Sequence, residues 1–136
     1  MNVTGVLETS LYVDDVSRAA EFYRRLFGFN KLEGDDRFCA LNVVEKQVLL
    51  LFKKGGTRDP ISLPGGVIPP HDGSGTTHLA FSIPAADFVA WETRLAEHDV
   101  TIESRVSWPR GGRSIYFRDP DGHLVELITP GCWATY

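Results

Sequence analysis

With 136 residues, the chain is long enough for one globular domain or for two small modules that share a core. Hydrophobic residues make up 43% and charged residues 24%, and the formal net charge of −4 gives no general attraction for nucleic acid. No apolar run approaches the roughly 18 residues of a membrane span. The N-terminus lacks the features of a secretory signal. We therefore expect a cytoplasmic protein with no membrane or nucleic-acid partner.

The opening segment, residues 6–13, alternates with period two and predicts a strand. Its parity puts Leu7 on the face that packs against a helix. Glu8, Ser10 and Tyr12 fall on the opposite face. The polar side chains of this strand are therefore predicted to lie on the face of the sheet that no helix covers.

A helix and three more strands complete this first module. The helix is predicted to start after a cap at Asp14 or Asp15 and to end at Gly28. The strands are predicted at residues 29–32, 37–44 and 47–52. The resulting β-α-β-β-β module spans about residues 5–54.

The same order is predicted again in the second half of the chain, about residues 76–131. Residues 55–75 are rich in Gly, Pro and Ser and predict a linker between the modules. The next strand carries Leu79 on its helix-facing side and His78 on the other, so Glu8 and His78 occupy matching positions. The other predicted elements are a helix at residues 84–98 and strands at residues 100–107, 113–117 and 123–128.

A turn at residues 119–122 predicts how the last two strands pair. With Gly122 left-handed, a three-residue loop pairs Asp119 with His123. Continuing that ladder pairs Tyr116 with Glu126, on the face opposite the helix. Turn chemistry and hydrophobic pattern agree on this register.

Three ionisable side chains, Glu8, His78 and Glu126, lie within otherwise apolar strands. Burying an imidazole and two carboxylates is costly unless something compensates them. One neutral imidazole and two carboxylates would neutralise a divalent metal ion. Of the two cysteines, Cys39 is expected to be a packed, inert thiol, and Cys132 has no assigned role.

The most specific motif is RSIYFRDPDGHLVE at residues 113–126, accompanied by the weaker LYVDD at residues 11–15. These segments resemble the vicinal oxygen chelate superfamily, which includes glyoxalase I, extradiol dioxygenases, fosfomycin-resistance enzymes and bleomycin-resistance proteins. The resemblance implies an α+β fold in which two tandem βαβββ modules form a curved mixed sheet around a cavity. It also implies a homodimer, because modules of single-domain members commonly pair across chains.

The resemblance implies a metal site made by Glu8, His78 and Glu126, for Fe, Mn, Ni, Co or Zn. The position of a fourth ligand would be Leu49, which cannot bind metal, so a three-ligand site with open positions is expected. Catalytic roles are assigned to Glu8, Glu126 and Tyr116. The candidate substrate-binding residues are Ser10, Tyr12, Trp108, Arg110, Arg113, Ser114 and Tyr116.

Two classes of function follow from this pattern. The first is a metal-dependent lyase, isomerase or dioxygenase acting on a small substrate that chelates the ion through oxygens, with a fosfomycin-modifying transferase as a lesser alternative. The second is a dimeric protein of the bleomycin-resistance type that binds a small molecule or antibiotic without turnover. Aromatic and acidic groove linings would favour the second class.

Overall fold

A computed structural model describes all 136 residues, which form two α-helices, one short 3-10 helix and ten strands. The chain divides into two compact units, Met1–Gly75 and Thr76–Tyr136. Each unit contains one α-helix and one four-stranded mixed sheet, so the predicted α+β fold with tandem βαβββ modules is confirmed. No helix is long and apolar enough to cross a bilayer.

The first unit contains one helix, one mixed sheet and a separate two-stranded hairpin. Its elements are β1 (Glu8–Val13), α1 (Val16–Phe27), β2 (Asn30–Gly34), β3 (Phe38–Val43), β4 (Gln47–Lys53), β5 (Ile61–Leu63) and β6 (Gly66–Ile68). The sheet order is β1-β4-β3-β2. β1 runs parallel to β4, whereas the other neighbours are antiparallel.

Helix α1 begins and ends at the residues that its capping chemistry requires. The Asp15 side chain accepts a hydrogen bond of 2.9 Å from the Arg18 backbone N–H. Gly28 adopts the left-handed conformation (φ 75°), and its N–H donates to the Arg24 carbonyl. The buried stripe of the helix consists of Val16, Ala19, Ala20, Tyr23 and Leu26. This stripe packs on the face of β3 and β4 that carries Leu41, Leu49 and Leu51.

The structure of this unit differs from the sequence-based expectation at two places. Leu7 was expected to be covered by the helix, yet it is 62% exposed, because it precedes β1, which starts only at Glu8; Leu11 and Val13, on the same face of the strand, are buried. The segment predicted to be a simple linker, residues 55–75, contains the β5–β6 hairpin. A hairpin of three-residue strands is too short to give a clear alternating pattern in a Gly/Pro-rich sequence.

The second unit repeats the arrangement. Its elements are β7 (His78–Ser82), a 3-10 turn (Ala85–Asp87), α2 (Phe88–Glu97), β8 (Ser104–Ser107), β9 (Arg113–Arg118) and β10 (Leu124–Ile128). The sheet order is β7-β10-β9-β8, and β7 is parallel to β10. The α-helix therefore starts later than predicted, after the 3-10 turn, and β8 is shorter than the predicted strand at residues 100–107.

The predicted turn between β9 and β10 is confirmed. The Asp119 carboxylate accepts hydrogen bonds from the backbone N–H groups of Asp121 and His123, at 3.0 and 2.9 Å. Gly122 is left-handed, with φ 82°. The ladder that follows pairs Tyr116 with Glu126, as the turn type requires.

A substitution at Leu51 tests the core of the first unit. Leu51 is fully buried in β4, so Leu51→Ala removes packed methyl groups and leaves a cavity. We expect the free energy of unfolding to fall by about 2–5 kcal/mol, measured by urea denaturation. Leu32→Ala is the control, because Leu32 is 56% exposed and its truncation should change stability by at most about 0.5 kcal/mol. Equal losses in the two variants would contradict this core assignment.

Candidate functional site

The second unit brings His78 and Glu126 together. β7 pairs with β10 so that Leu124 lies beside His78, and Glu126 follows two residues later on the same face. Glu126 is only 4% exposed. The distance from His78 Nε2 to Glu126 Oε2 is 3.1 Å.

The hydrogen bonds of His78 determine which of its nitrogens faces the carboxylate as an acceptor. Nδ1 lies 3.1 Å from the Leu124 carbonyl oxygen, which can only accept, so Nδ1 carries a proton. The contact between Nε2 and Glu126 Oε2 then needs either a second proton on the ring or a cation that both atoms bind. The other oxygen, Glu126 Oε1, is buried without any hydrogen-bond partner. A proton or a cation is therefore needed between His78 Nε2 and Glu126 Oε2, and a second one is needed at Glu126 Oε1.

This donor set fits a divalent metal ion. Metal-bound histidines usually donate their second N–H to a carbonyl or carboxylate, which is the contact that His78 makes with Leu124. An imidazole nitrogen and a carboxylate oxygen suit Mn, Fe, Co, Ni and Zn. His78 and Glu126 are therefore the residues of this unit that could hold the ion.

Tyr116 and its neighbours form the wall beside this pair. The Tyr116 and His78 rings are 6.3 Å apart between centroids. Burial raises the pKa of the Tyr116 phenol, and the carboxylate of Glu126 raises it further. Ser114 is fully buried, and its Oγ accepts a 2.8 Å hydrogen bond from Trp108 Nε1. Tyr116 thus remains a proton donor, while Ser114 holds the Trp108 ring in place.

The two arginines predicted to contact substrate differ in position. Arg113 lies on the opposite face of β9, with its guanidinium 4.0 Å from the centroid of the Phe88 ring of α2. Arg110 belongs to the loop before β9 and lowers the pKa of Cys132, which burial and Glu126 raise. Arg113 therefore lies on the face opposite the predicted site. The electrostatic effect of Glu126 on Cys132 was not predicted, since nothing in the sequence links the C-terminal segment to β10.

The first unit contains a cavity of about 690 Å³. Glu8 and Ser10 of β1 line it, as the strand parity predicted for that face. Tyr12, on the same face, is nearly buried, and its hydroxyl contacts His71 Nδ1 at 2.5 Å and Thr57 Oγ1 at 3.2 Å. Tyr12 therefore supports the cavity wall through His71, which itself lines the cavity.

His71 and Thr57 are site residues that sequence reasoning missed. Both lie in the segment predicted to be a linker, where a histidine between prolines and glycines looks like an exposed loop residue. The one signal available was Gly73. A Cβ at this position would lie only 2.4 Å from Cδ2 of the Tyr12 ring, so the loop can pack on Tyr12 only with glycine there.

A substitution at Gly73 tests this close approach. We expect Gly73→Ala to displace residues 71–73 from Tyr12 and to lower the free energy of unfolding by about 1–3 kcal/mol, as overpacking does. Hydrogen exchange should accelerate across residues 57–73. Gly65→Ala is the matched control, because a Cβ there meets nothing within 4 Å. Unchanged exchange in Gly73→Ala would show that the loop does not depend on this contact.

No three His, Cys, Asp or Glu side chains come close enough together within one chain to hold a metal ion. The structure unites His78 and Glu126 in the second unit, whereas Glu8 belongs to the first. The predicted fourth-ligand position also moves by one residue. Since Glu8 pairs with Val48, the counterpart of Glu126 is Leu50 rather than Leu49. Leu50 is equally unable to bind metal.

Comparison with known sequences identifies the family of this chain. Residues 5–127 match the sequence profile of the Glyoxalase/Bleomycin resistance protein/Dioxygenase superfamily. The chain belongs to that superfamily. The predicted resemblance is therefore confirmed, and its βαβββ modules are those of the superfamily fold.

Within the superfamily, the chain is similar to metallothiol transferases. It is 31% identical to metallothiol transferase FosB of Staphylococcus epidermidis, over 95% of this chain and 84% of that protein. It is also 31% identical to metallothiol transferase FosB of Shouchella clausii, over 93% of this chain and 81% of the relative.

Among solved structures, the chain is similar to lactoylglutathione lyase from Agrobacterium tumefaciens. That likeness has a TM-score of 0.88 and 30% identity, and it covers 98% of this chain and 99% of the other. The fosfomycin resistance protein FosX of Mesorhizobium loti shares the fold, with a TM-score of 0.65 and 22% identity over 94% of this chain and 93% of its own.

Proposed function

We propose that this protein is a metal-dependent enzyme whose divalent ion is held by His78 and Glu126, with Glu8 as the third ligand. The observation that carries the proposal is the buried Glu126 carboxylate, which has one oxygen 3.1 Å from His78 Nε2 and the other without a partner. A purely structural role would leave an expensive buried acceptor unsatisfied. A bound cation would satisfy both oxygens.

The residues around the pair would bind and orient a small substrate. When bound, the ion would supply Lewis-acid stabilisation to a substrate that chelates it through oxygens. The phenol of Tyr116, whose pKa lies above its usual value because of burial and Glu126, would donate a hydrogen bond to a substrate oxygen. Trp108, held by Ser114, would cover one side of the substrate. Arg110 would meet an anionic group.

The similarity to metallothiol transferases makes transfer of a thiol to a small oxygen-chelating substrate the first reaction to test. A lyase reaction comes second, because of the similarity to lactoylglutathione lyase. We further propose a cytoplasmic homodimer in which Glu8 of one protomer serves the His78 and Glu126 of its partner. Glu8 belongs to the first unit, and His78 and Glu126 belong to the second.

Metal analysis of the purified protein tests this function. We expect close to one divalent ion per chain in the wild type and a near-complete loss in the double variant His78→Ala, Glu126→Ala. Glu103→Ala is the control, since Glu103 is an exposed carboxylate paired with Arg118 and should not alter metal content. Both proteins are incubated with each candidate ion before the measurement. A metal content that is near zero and equal in the wild type and the double variant would refute the proposed metal-dependent enzyme.

The cavity of the first unit favours a second candidate function, the sequestration of a small molecule without turnover. Its lining includes the aromatic rings of Phe38 and Phe52 and the carboxylates of Glu8 and Glu33. Calorimetric titration with and without a chelator separates the two functions. Tight binding that is indifferent to the chelator, with no product formed, would favour sequestration.

A further inference from the structure

The cavity of the first unit has apolar walls contributed by two different elements. The open face of the sheet supplies Phe38, Leu50 and Phe52, none of which belongs to the helix-covered core. The β5–β6 hairpin supplies Ile61, Leu63 and Ile68. A volume of about 690 Å³ lies within the range of small-molecule sites, about 300–1,000 Å³. Leu63 and Ile68 are 53% and 44% exposed, so a ligand between hairpin and sheet would remove apolar surface from water.

The segment that carries the hairpin is anchored at its base rather than loosely attached. The His71 N–H donates to the Thr57 carbonyl at 2.9 Å, and Thr57 Oγ1 donates back to the His71 carbonyl at 2.5 Å. Arg58 and Asp72 add an ion pair at 2.8 Å. Together with the contact from Tyr12 to His71, these bonds hold the segment against β1. The hairpin is therefore a preformed wall, and binding need not first order it.

The charges around the cavity have an acidic excess. Glu8, Glu33 and Asp35 line it together with a single cation, Arg37. The guanidinium of Arg37 is already engaged by Asp35 at 3.1 Å. Neither Glu8 nor Glu33 forms an ion pair with a cation of the chain. If Glu8 binds a metal ion, Glu33 still provides an unpaired negative charge at the cavity. This field favours a cationic group and disfavours an anionic one.

We propose that this cavity binds the body of a small molecule that combines an aromatic-sized apolar group with an amine. This substrate class specifies the ligand of the proposed enzyme. It rests on the proposed function only in that Glu8 both lines the cavity and would bind the metal ion. A small, strongly anionic substrate would leave the apolar walls uncovered and would face Glu33 and Asp35. The hairpin and Glu33 thus select a hydrophobic cation.

Calorimetric titration with two matched probes tests the inference. At neutral pH, 2-naphthylmethylamine is a cation and 2-naphthoate is an anion of similar size. We expect the amine to bind the intact protein at least about tenfold more tightly than the carboxylate. Ile68→Ser should weaken amine binding about tenfold, because it removes apolar contact with the probe. Glu33→Gln should narrow the difference between the two probes.

Two control variants make the result decisive. Val67→Ser changes the same hairpin at a side chain that is 62% exposed and does not line the cavity, so it should bind the amine like wild type. Glu103→Gln alters an exposed carboxylate of the other unit and should also bind like wild type. Failure of both probes to bind, equal affinity for them, or equal losses in Ile68→Ser and Val67→Ser would overturn the inference. A protein that binds the amine in this pattern but takes up no metal would refute the proposed function alone.

Discussion

Replacing Glu126 with methionine is expected to stabilise the metal-free protein while abolishing its response to metal. In the absence of a cation, the buried Glu126 carboxylate has one oxygen without a partner. An unsatisfied buried polar group costs about 1–3 kcal/mol. Methionine has a similar volume and no such group, and His78 is half exposed, so water can replace the contact that it loses. With a chelator present, Glu126→Met should therefore unfold at a higher urea concentration than wild type.

With metal present the order of stabilities should reverse. A ligand that binds only the folded state at 100 times its dissociation constant adds about 2.7 kcal/mol to the free energy of unfolding. Wild-type protein should gain this stabilisation with Mn²⁺ or Zn²⁺, and Glu126→Met should gain almost none. Urea denaturation of both proteins with chelator, with Mn²⁺ and with Zn²⁺ gives the six values needed.

A control at Glu103 separates this effect from a general effect of removing a carboxylate. Glu103 is exposed and paired with Arg118, so Glu103→Met should change stability by at most about 0.5 kcal/mol and keep the full response to metal. If Glu126→Met gained as much from metal as wild type, Glu126 would not be a ligand. If it were less stable than wild type under chelator, the carboxylate would have a structural role instead.

The second large effect is expected from mixing two inactive variants. Glu8→Ala and His78→Ala should each lose metal, since each lacks one ligand. In a two-fold symmetric dimer whose sites are shared, a mixed dimer contains one site with Glu8 from one chain and His78 with Glu126 from the other. That site is intact and the second is doubly defective. We expect doubly tagged mixed dimers to recover about one ion per two chains, half the wild-type content, measured by metal analysis.

The matched control for this experiment mixes His78→Ala with Glu126→Ala. Both residues belong to the second unit, so no arrangement of these two chains produces an intact site. This mixture should remain without metal. Recovery in neither mixture would mean that Glu8 serves His78 and Glu126 of its own chain, or none at all, and would remove the shared site.

Much of the candidate site could be predicted because it depends on local rules. Strand parity placed Glu8 and Ser10 on the cavity face, and both line the cavity. The turn after β9 set the register that pairs Tyr116 with Glu126, because a type I turn followed by left-handed Gly122 makes a three-residue loop. These features involve residues close in sequence, where steric rules and hydrogen-bond patterns act directly.

Two of the errors involve partners that are distant in sequence. The position of Arg113 depends on the ring of Phe88. Similarly, the choice of Leu50 over Leu49 depends on the pairing of β1 with β4. A period-two pattern assigns a residue to one of two faces, but it does not say which element covers that face.

The sequence by itself determined the superfamily and its tandem modules, and it led to the prediction that Glu8, His78 and Glu126 hold a metal ion. Only the tertiary structure decided that the supposed linker forms a hairpin held to Tyr12 by His71, since that contact joins residues 59 positions apart. It also decided that Glu126 is buried with an orphaned oxygen beside His78. The physical reason is that burial and hydrogen-bond satisfaction are properties of the packed chain. No segment of sequence carries them before its neighbours in space are known.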